Sequence, residues 1–164
     1  RAAAADAAAI THAHPLGVAG GVLLAQAAAL ALDDSIAPAA LLRRAAEGIE
    51  LPEYRGRIDW AVAALKRRPS AEETRAALGN WVRAHESAVT ALYAFAREPR
   101  DFMKMMAFVF ELGGDVDTIG AMAGALFGAR NGVSALPAEL VARLEQRERI
   151  ERAARALFAA SLPS

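Results

Sequence analysis

The chain has 164 residues, 43 of them alanine, and 55% of its residues are hydrophobic while only 6% are aromatic. This mixture favours close-packed helices over a sheet of bulky β-branched side chains, and the high apolar content at zero net charge excludes a disordered chain. Basic and acidic residues number 19 each, which argues against nucleic-acid binding. Because there is no cysteine, disulfides, Cys-ligated metals and a thiol nucleophile are excluded as well.

In the longest uncharged stretch, residues 7–32, the apolar residues are mostly alanine, and the stretch also contains two histidines and a proline. We therefore predict neither a transmembrane helix nor any membrane partner. The chain begins at Arg1, within an alanine-rich helical pattern and without a recognisable signal peptide. From this start we expect upstream sequence to be missing, and from the lack of a targeting segment we expect a cytoplasmic location.

Helical periodicity dominates the chain from end to end, and no stretch alternates convincingly with a period of two. Only residues 105–110 are ambiguous between helix and strand. The predicted helices are 2–10, 17–32, 37–47, 58–67, 71–78, 86–97, 101–112 and 118–130, followed by two short terminal helices that begin at Pro137 and Glu148. We predict an all-α fold, a compact orthogonal multi-helix bundle.

Several local patterns refine this prediction. Residues 17–32 are apolar nearly all round, which indicates a central, buried helix. Ser70 and Glu73 form the pattern of a capping box. Basic residues at 43–44, 66–68 and 147–155 are typical of solvated helix faces. The aromatic side chains expected in the core are Tyr93, Phe95, Phe102 and Phe108.

Residues 111–129 carry the pattern that is most informative about chemistry. Gly113 and Gly114 permit a tight turn with unusual dihedral angles, and Asp115, Asp117 and Thr118 then place two carboxylates and a hydroxyl at the start of a helix. Such oxygen-only donors suit a hard cation, magnesium or calcium. The competing interpretation is that Asp117 or Thr118 simply caps the helix.

Behind these donors, Gly120, Gly124 and Gly128 recur every four residues. This small-residue stripe predicts that another helix packs very close to it and holds the donor-bearing end rigid. Two other known classes of Asp-x-Asp site do not fit this sequence. An EF-hand would need oxygen ligands at the positions of Ile119 and Leu126, and an aspartyl phosphatase would need an α/β chain.

A second candidate segment is the turn at residues 11–17. His12 and His14 have no third nitrogen or sulfur ligand nearby, so a zinc site is disfavoured. Because a helix begins at about Gly17, with free N–H groups that favour phosphate, the histidines could hydrogen-bond an anionic or sugar-like ligand. Capping or surface histidines remain the alternative.

Together these segments resemble the ADP-ribosylglycohydrolase family, nearest its ADP-ribosylhydrolase 3 branch, from about Ile10 to Phe158. The specific motif is Leu112-Gly-Gly-Asp-Val-Asp-Thr-Ile, which is similar to the family's Gly-Gly-Asp-Thr-Asp-Thr-Ile. Thr11-His12 before Leu16-Gly17, and Leu78-Gly79-Asn80 before Glu86-Ser87, support it. Val116 replaces the family's usual threonine at a position that is not expected to be a ligand.

The resemblance implies an all-α enzyme with two magnesium ions. Asp115, Asp117 and Thr118 would be magnesium ligands, with Asp117 bridging both ions. His12 would contact the diphosphate of ADP-ribose, and Val82 would line the ligand site. The family's remaining ligands, a glutamate and a Thr-Asp-Asp motif, and its Gly-rich loop have no counterpart here, so the whole chain, residues 1–164, resembles the C-terminal part of one such domain.

The implied activity is magnesium-dependent removal of ADP-ribose from modified proteins or related conjugates, with O-linked forms favoured by the branch. The acid or base expected upstream is absent, so no catalytic residue is assigned and this chain alone is expected to be inactive. The alternative functions are a non-catalytic ADP-ribose-binding or regulatory helical domain, and a helical partner-binding domain without a ligand.

Overall fold

The computed structural model describes residues 1–161. This part of the chain contains no β-strand and folds into ten α-helices and one 3₁₀ turn, so the all-α prediction is confirmed. The ambiguous residues 105–110 are helical. The helices are α1 (Ala2–Ala9), α2 (Pro15–Ala31), α3 (Pro38–Ala45), α4 (Pro52–Arg67), α5 (Ala71–Leu78), α6 (Ala84–Arg97), α7 (Phe102–Leu112), α8 (Val116–Asn131), α9 (Ala138–Ala142) and α10 (Arg147–Ser161), with the 3₁₀ turn at Val133–Ala135.

Helix α6 lies at the centre of the fold, because α2, α4 and α8 all pack against it. Eleven of its 14 residues are buried. Tyr93 and Phe95 of α6 are fully buried, Phe108 of α7 is buried and Phe102 is half-buried, as predicted.

Helix α2 also occupies an inner position, between α1, α3, α6 and α8, as predicted, although not all of its residues are buried. Ala25 and Ala29 are exposed on its outer side. Alanine suits either environment, so composition alone does not report which face of α2 meets solvent. Spanning a bilayer would require a longer apolar helix than any found within residues 1–161.

Some helix ends differ from the predictions. Helix α4 begins at Pro52 rather than Ile58, since proline is tolerated in a first turn, where the backbone N–H groups have no partner within the helix. Helix α10 has 15 residues and is not short. Ser70 caps α5 as predicted, accepting from the Glu73 N–H at 3.1 Å. The Glu73 carboxylate pairs with Arg67 at 2.7 Å rather than completing a capping box. All three basic clusters are exposed, as predicted.

Within residues 1–161, the small-residue stripe of α8 is packed only at the end that carries the donors. A Cβ atom at Gly120 would lie 3.0 Å from the Met106 side chain of α7, whereas nothing in this part of the chain lies within 4 Å of one at Gly124 or Gly128. Close approaches also occur on α2. A Cβ atom at Gly20 would lie 2.8 Å from the Tyr54 hydroxyl, and one at Gly21 would lie 2.9 Å from Ala8 Cβ. The glycines of α2 therefore make room for α1 and for the Tyr54 side chain.

Candidate functional site

The turn between α7 and α8 is built by its two glycines. Gly113 and Gly114 have φ angles of +66° and +73°, in the left-handed region that favours glycine. A Cβ atom at Gly114 would lie only 2.1 Å from the Asn80 carbonyl oxygen. The turn therefore runs directly against the loop that follows α5, and the predicted tight approach is present at Gly114 but not at Gly113, which has nothing from residues 1–161 within 4 Å of its Cβ position.

This turn delivers the two aspartates to the first residues of α8. Asp115 occupies the N-cap position, but its side chain makes no capping hydrogen bond. The Asp117 carboxylate accepts from the Thr118 N–H at 3.0 Å. A side-chain contact with Asp115 and this backbone N–H together lower the pKa of Asp117 below its ordinary value. Helix capping therefore accounts for part of the Asp117 environment and leaves the Asp115 carboxyl unexplained.

The chemistry of these donors fits a hard cation. Two neighbouring carboxyl groups repel each other when both are ionised, and a cation between them relieves that repulsion. Magnesium keeps several waters and is held by one or two carboxylates, so Asp115, Asp117 and the Thr118 hydroxyl could form one side of its coordination sphere. Within residues 1–161 no three His, Asp or Glu side chains cluster as metal ligands, so the set is incomplete there.

A cavity of about 360 Å³ lies beside this donor group. It brings together His12 from the turn before α2, Val82 from the segment before α6, and Thr118 from α8. These three predicted site residues thus line one space although they are far apart in the sequence. Asp115 and Asp117 do not line it, and Thr118 connects the carboxylates with the cavity. The volume lies within the range of small-molecule sites.

The two histidines have different roles. His12 is exposed, and the Thr11 hydroxyl lies 2.8 Å from its Nδ1 atom, which restrains the ring. Its side chain rests on the start of α2, because a Cβ atom at Gly17 would lie 2.9 Å from His12 Cβ. His14 is the N-cap of α2, and its Nδ1 atom accepts from the Leu16 N–H at 3.2 Å. The capping interpretation is therefore correct for His14.

Several residues at this site were not predicted from the sequence. Ser87 and Met122 also line the cavity. Asn80 holds the turn that carries the aspartates, since its side-chain amide donates to the Leu112 carbonyl at 2.8 Å and its own carbonyl accepts from the Asp115 N–H at 2.8 Å. Ser87 and Asn80 belong to the motifs that carry the family resemblance, so those motifs are the sequence signal that could have identified them.

Comparison with known proteins agrees with the geometry. A sequence profile of the ADP-ribosylglycohydrolase family matches residues 1–163. The chain is similar to proteins named ADP-ribosylhydrolase ARH3: it is 32% identical to that of Xenopus tropicalis over 157 residues, covering 78% of this chain and 45% of the relative. With the Homo sapiens protein the identity is 31%, covering 78% and 43%. The chain thus spans less than half the length of these curated relatives. It belongs to the ADP-ribosylglycohydrolase family.

Proposed function

We propose that this chain is the metal-binding and ligand-binding C-terminal portion of a magnesium-dependent hydrolase that removes ADP-ribose from modified proteins, with O-linked ADP-ribose as the favoured substrate. The observation that carries the proposal is the cavity beside the carboxylate pair, which gathers His12, Val82 and Thr118. Relatives named ADP-ribosylhydrolase support the reaction class. The O-linked preference rests on the branch that these relatives represent.

Each side chain at the cavity has a distinct task in this proposal. His12, restrained at Nδ1 by Thr11, offers its other ring nitrogen to the diphosphate of ADP-ribose. Val82 is 77% exposed, so it offers an apolar contact to a bound ligand rather than serving the core. Asp115, Asp117 and Thr118 hold the cation, and bound magnesium would orient the ribose hydroxyls and stabilise charge on the leaving oxygen.

The cavity also explains why we expect this chain alone to be inactive. Glycosidic bond hydrolysis needs a general acid or base, most often a carboxyl group. Among residues 1–161 no carboxylate lines the cavity, and the carboxylate pair reaches it only through its neighbour Thr118. A complete reaction therefore requires a further acidic group.

The same observation favours a second candidate function. A cavity lined mainly by small and apolar side chains, with His12, Ser87 and Thr118 as its polar partners, can bind a nucleotide sugar without cleaving it. The alternative is a non-catalytic ADP-ribose-binding or regulatory domain. Hydrolysis and binding differ in one measurable respect, which is turnover in the presence of magnesium.

The test measures binding and turnover in parallel. Affinity for ADP-ribose is determined by isothermal titration calorimetry with magnesium and with EDTA. Release of ADP-ribose from a peptide that is ADP-ribosylated on serine is followed under the same conditions. Asp117→Ala removes the central carboxylate, and Asp59→Ala is a matched control because Asp59 is an exposed carboxylate on α4, away from this turn and its cavity.

We expect ADP-ribose to bind more tightly with magnesium than with EDTA, and Asp117→Ala to remove that difference while Asp59→Ala keeps it. Turnover that EDTA abolishes would support hydrolysis and refute the expected inactivity of this chain. Binding without turnover, in a protein that also supplies the missing acidic group, would favour the binding domain. If neither magnesium nor ADP-ribose binds, the proposal is wrong.

A further inference from the structure

We propose that Asn80 is the positioning residue of the metal site: its side chain fixes the turn that presents Asp115 and Asp117, and thereby sets the affinity for the cation. This inference rests on the proposed function, since it concerns the same carboxylates. Asn80 does not contact the cation in this proposal. It acts only through the backbone of residues 112–115.

Asn80 makes the hydrogen bonds that connect the turn to the rest of the fold. Within residues 1–161, both hydrogen bonds that tie residues 112–115 to a different helix or loop involve Asn80. One is between backbones, from the Asp115 N–H to the Asn80 carbonyl at 2.8 Å. The other is from the Asn80 side-chain amide to the Leu112 carbonyl, also at 2.8 Å. The two hydrogen bonds hold the turn at both of its ends, Leu112 and Asp115.

The two glycines of the turn have little other support, although Leu112 before them is fully buried in the core. Nothing lies within 4 Å of the space that a Cβ atom would occupy at Gly113, so that glycine is not packed against another part of residues 1–161. Glycine also has the largest backbone freedom of any residue. Without the Asn80 side chain, the backbone bond from the Asp115 N–H would be the one remaining hydrogen bond that ties residues 112–115 to another helix or loop within residues 1–161, and the Asp115 carboxyl would be held less firmly relative to Asp117.

The segment that precedes Asn80 is itself held in place by hydrogen bonds. The fully buried Thr90 of α6 donates from its hydroxyl to the Gly79 carbonyl at 2.7 Å, and Arg57 of α4 donates to the Leu78 carbonyl at 3.0 Å. Gly79 has a φ angle of +83° and lies against the Glu86 side chain. The loop before Asn80 is therefore anchored to two core helices. Through Asn80, this anchored loop restricts the movement of the carboxylates.

The experiment compares two asparagines at opposite ends of α8. Asn80→Ala removes the amide that holds the turn before the helix. Asn131→Ala is the matched control, because the Asn131 amide likewise donates to two backbone carbonyls, those of Pro99 and Phe127, at 2.9 and 3.0 Å. Asp117→Ala reports on the metal site itself. Asn80→Ser removes the same amide while keeping a small polar side chain, in case Asn80→Ala does not fold.

The measurement is a titration of ¹⁵N-labelled protein with Mn²⁺, which broadens the backbone amide signals near a bound ion even when binding is weak. We expect half-broadening of residues 115–119 to need about tenfold more Mn²⁺ in Asn80→Ala and Asn80→Ser, as is typical when a group that orients a ligand is lost. Asn131→Ala should titrate like the wild type, although it too loses hydrogen bonds. A purely structural role for Asn80 would leave the Mn²⁺ titration unchanged.

The outcomes separate this inference from the proposed function. If the wild type binds, Asp117→Ala does not, and both Asn80 variants titrate like the wild type, only the role of Asn80 is refuted. If Asn131→Ala weakens binding as much as Asn80→Ala, the effect is general loss of stability and the inference is also wrong. If the wild type shows no selective broadening at residues 115–119, both the metal site and the role of Asn80 are refuted.

Discussion

Substituting alanine for Gly114 should destabilise the protein far more than substituting its neighbour Gly113. Both glycines have positive φ angles, so a side chain at either position is strained, by about 1–3 kcal/mol. Only Gly114 adds a collision, because its Cβ atom would lie 2.1 Å from the Asn80 carbonyl oxygen and 2.7 Å from its amide nitrogen. These distances are well inside the ~3.5 Å at which such atoms normally touch.

Relieving that collision requires the turn to move away from Asn80 by more than about 1 Å. The two hydrogen bonds at 2.8 Å would then break, at a cost of about 1 kcal/mol each. We therefore expect Gly114→Ala to lower the free energy of unfolding by roughly 3–5 kcal/mol, and Gly113→Ala by roughly 1–3 kcal/mol. Urea unfolding followed by circular dichroism measures both. Equal losses in the two variants would refute the contact between this turn and Asn80.

Three further predictions use the same assay. Gly124→Ala should stabilise the protein by about 0.5–1 kcal/mol, because helical glycine is unfavourable and the added Cβ atom meets nothing; a loss would reveal a packed neighbour. Ser70→Ala should cost about 1 kcal/mol by removing the cap of α5, and an unchanged midpoint would contradict that role. Burial lowers the pKa of His85 in the folded state, so protonation favours unfolding. Stability should fall as the pH drops below about 6.5, and His85→Gln should flatten that decline.

The local part of the fold could be predicted because each signal involves residues a few positions apart. Ser70 before Glu73 predicted the start of α5. The start of α4 was missed because Leu51 and Pro52 precede a charged segment with little apolar periodicity. There the first turn depends on the fixed φ angle of proline rather than on a hydrophobic face.

The glycines of α2 and α8 show a feature that a local sequence pattern could not predict, namely which of them have packed neighbours. A four-residue repeat on α8 and a looser cluster on α2 both permit close helix packing, yet in the described part of the chain Gly124 and Gly128 have no neighbour within 4 Å while Gly120, Gly20 and Gly21 do. Which glycines are used depends on where Met106, Tyr54 and Ala8 lie in three dimensions. That information is distributed over residues more than ten positions away, and the repeat itself does not contain it.

The candidate site shows the same division between local and distant signals. Asp115, Asp117 and Thr118 could be singled out as donors because they are adjacent in sequence. The proximity of Thr118 to His12 and Val82 could be expected only from the family resemblance, since these three residues lie on separate segments around the cavity. That Ser87 and Met122 also line the cavity depends on how α6 and α8 cross, although Ser87 stands in a motif that carries the family resemblance.

The contact at Asn80 explains why two separate motifs together carry the family resemblance. The segment Leu78-Gly79-Asn80 and the Gly-Gly-Asp turn look independent in the sequence, but in the structure they form the two sides of one contact. Gly114 can have no side chain because the Asn80 carbonyl fills the space where it would stand. A chain with the aspartates but without a matching loop after α5 would therefore have the same donors on an unsupported turn, and we expect such a chain to hold a cation less tightly.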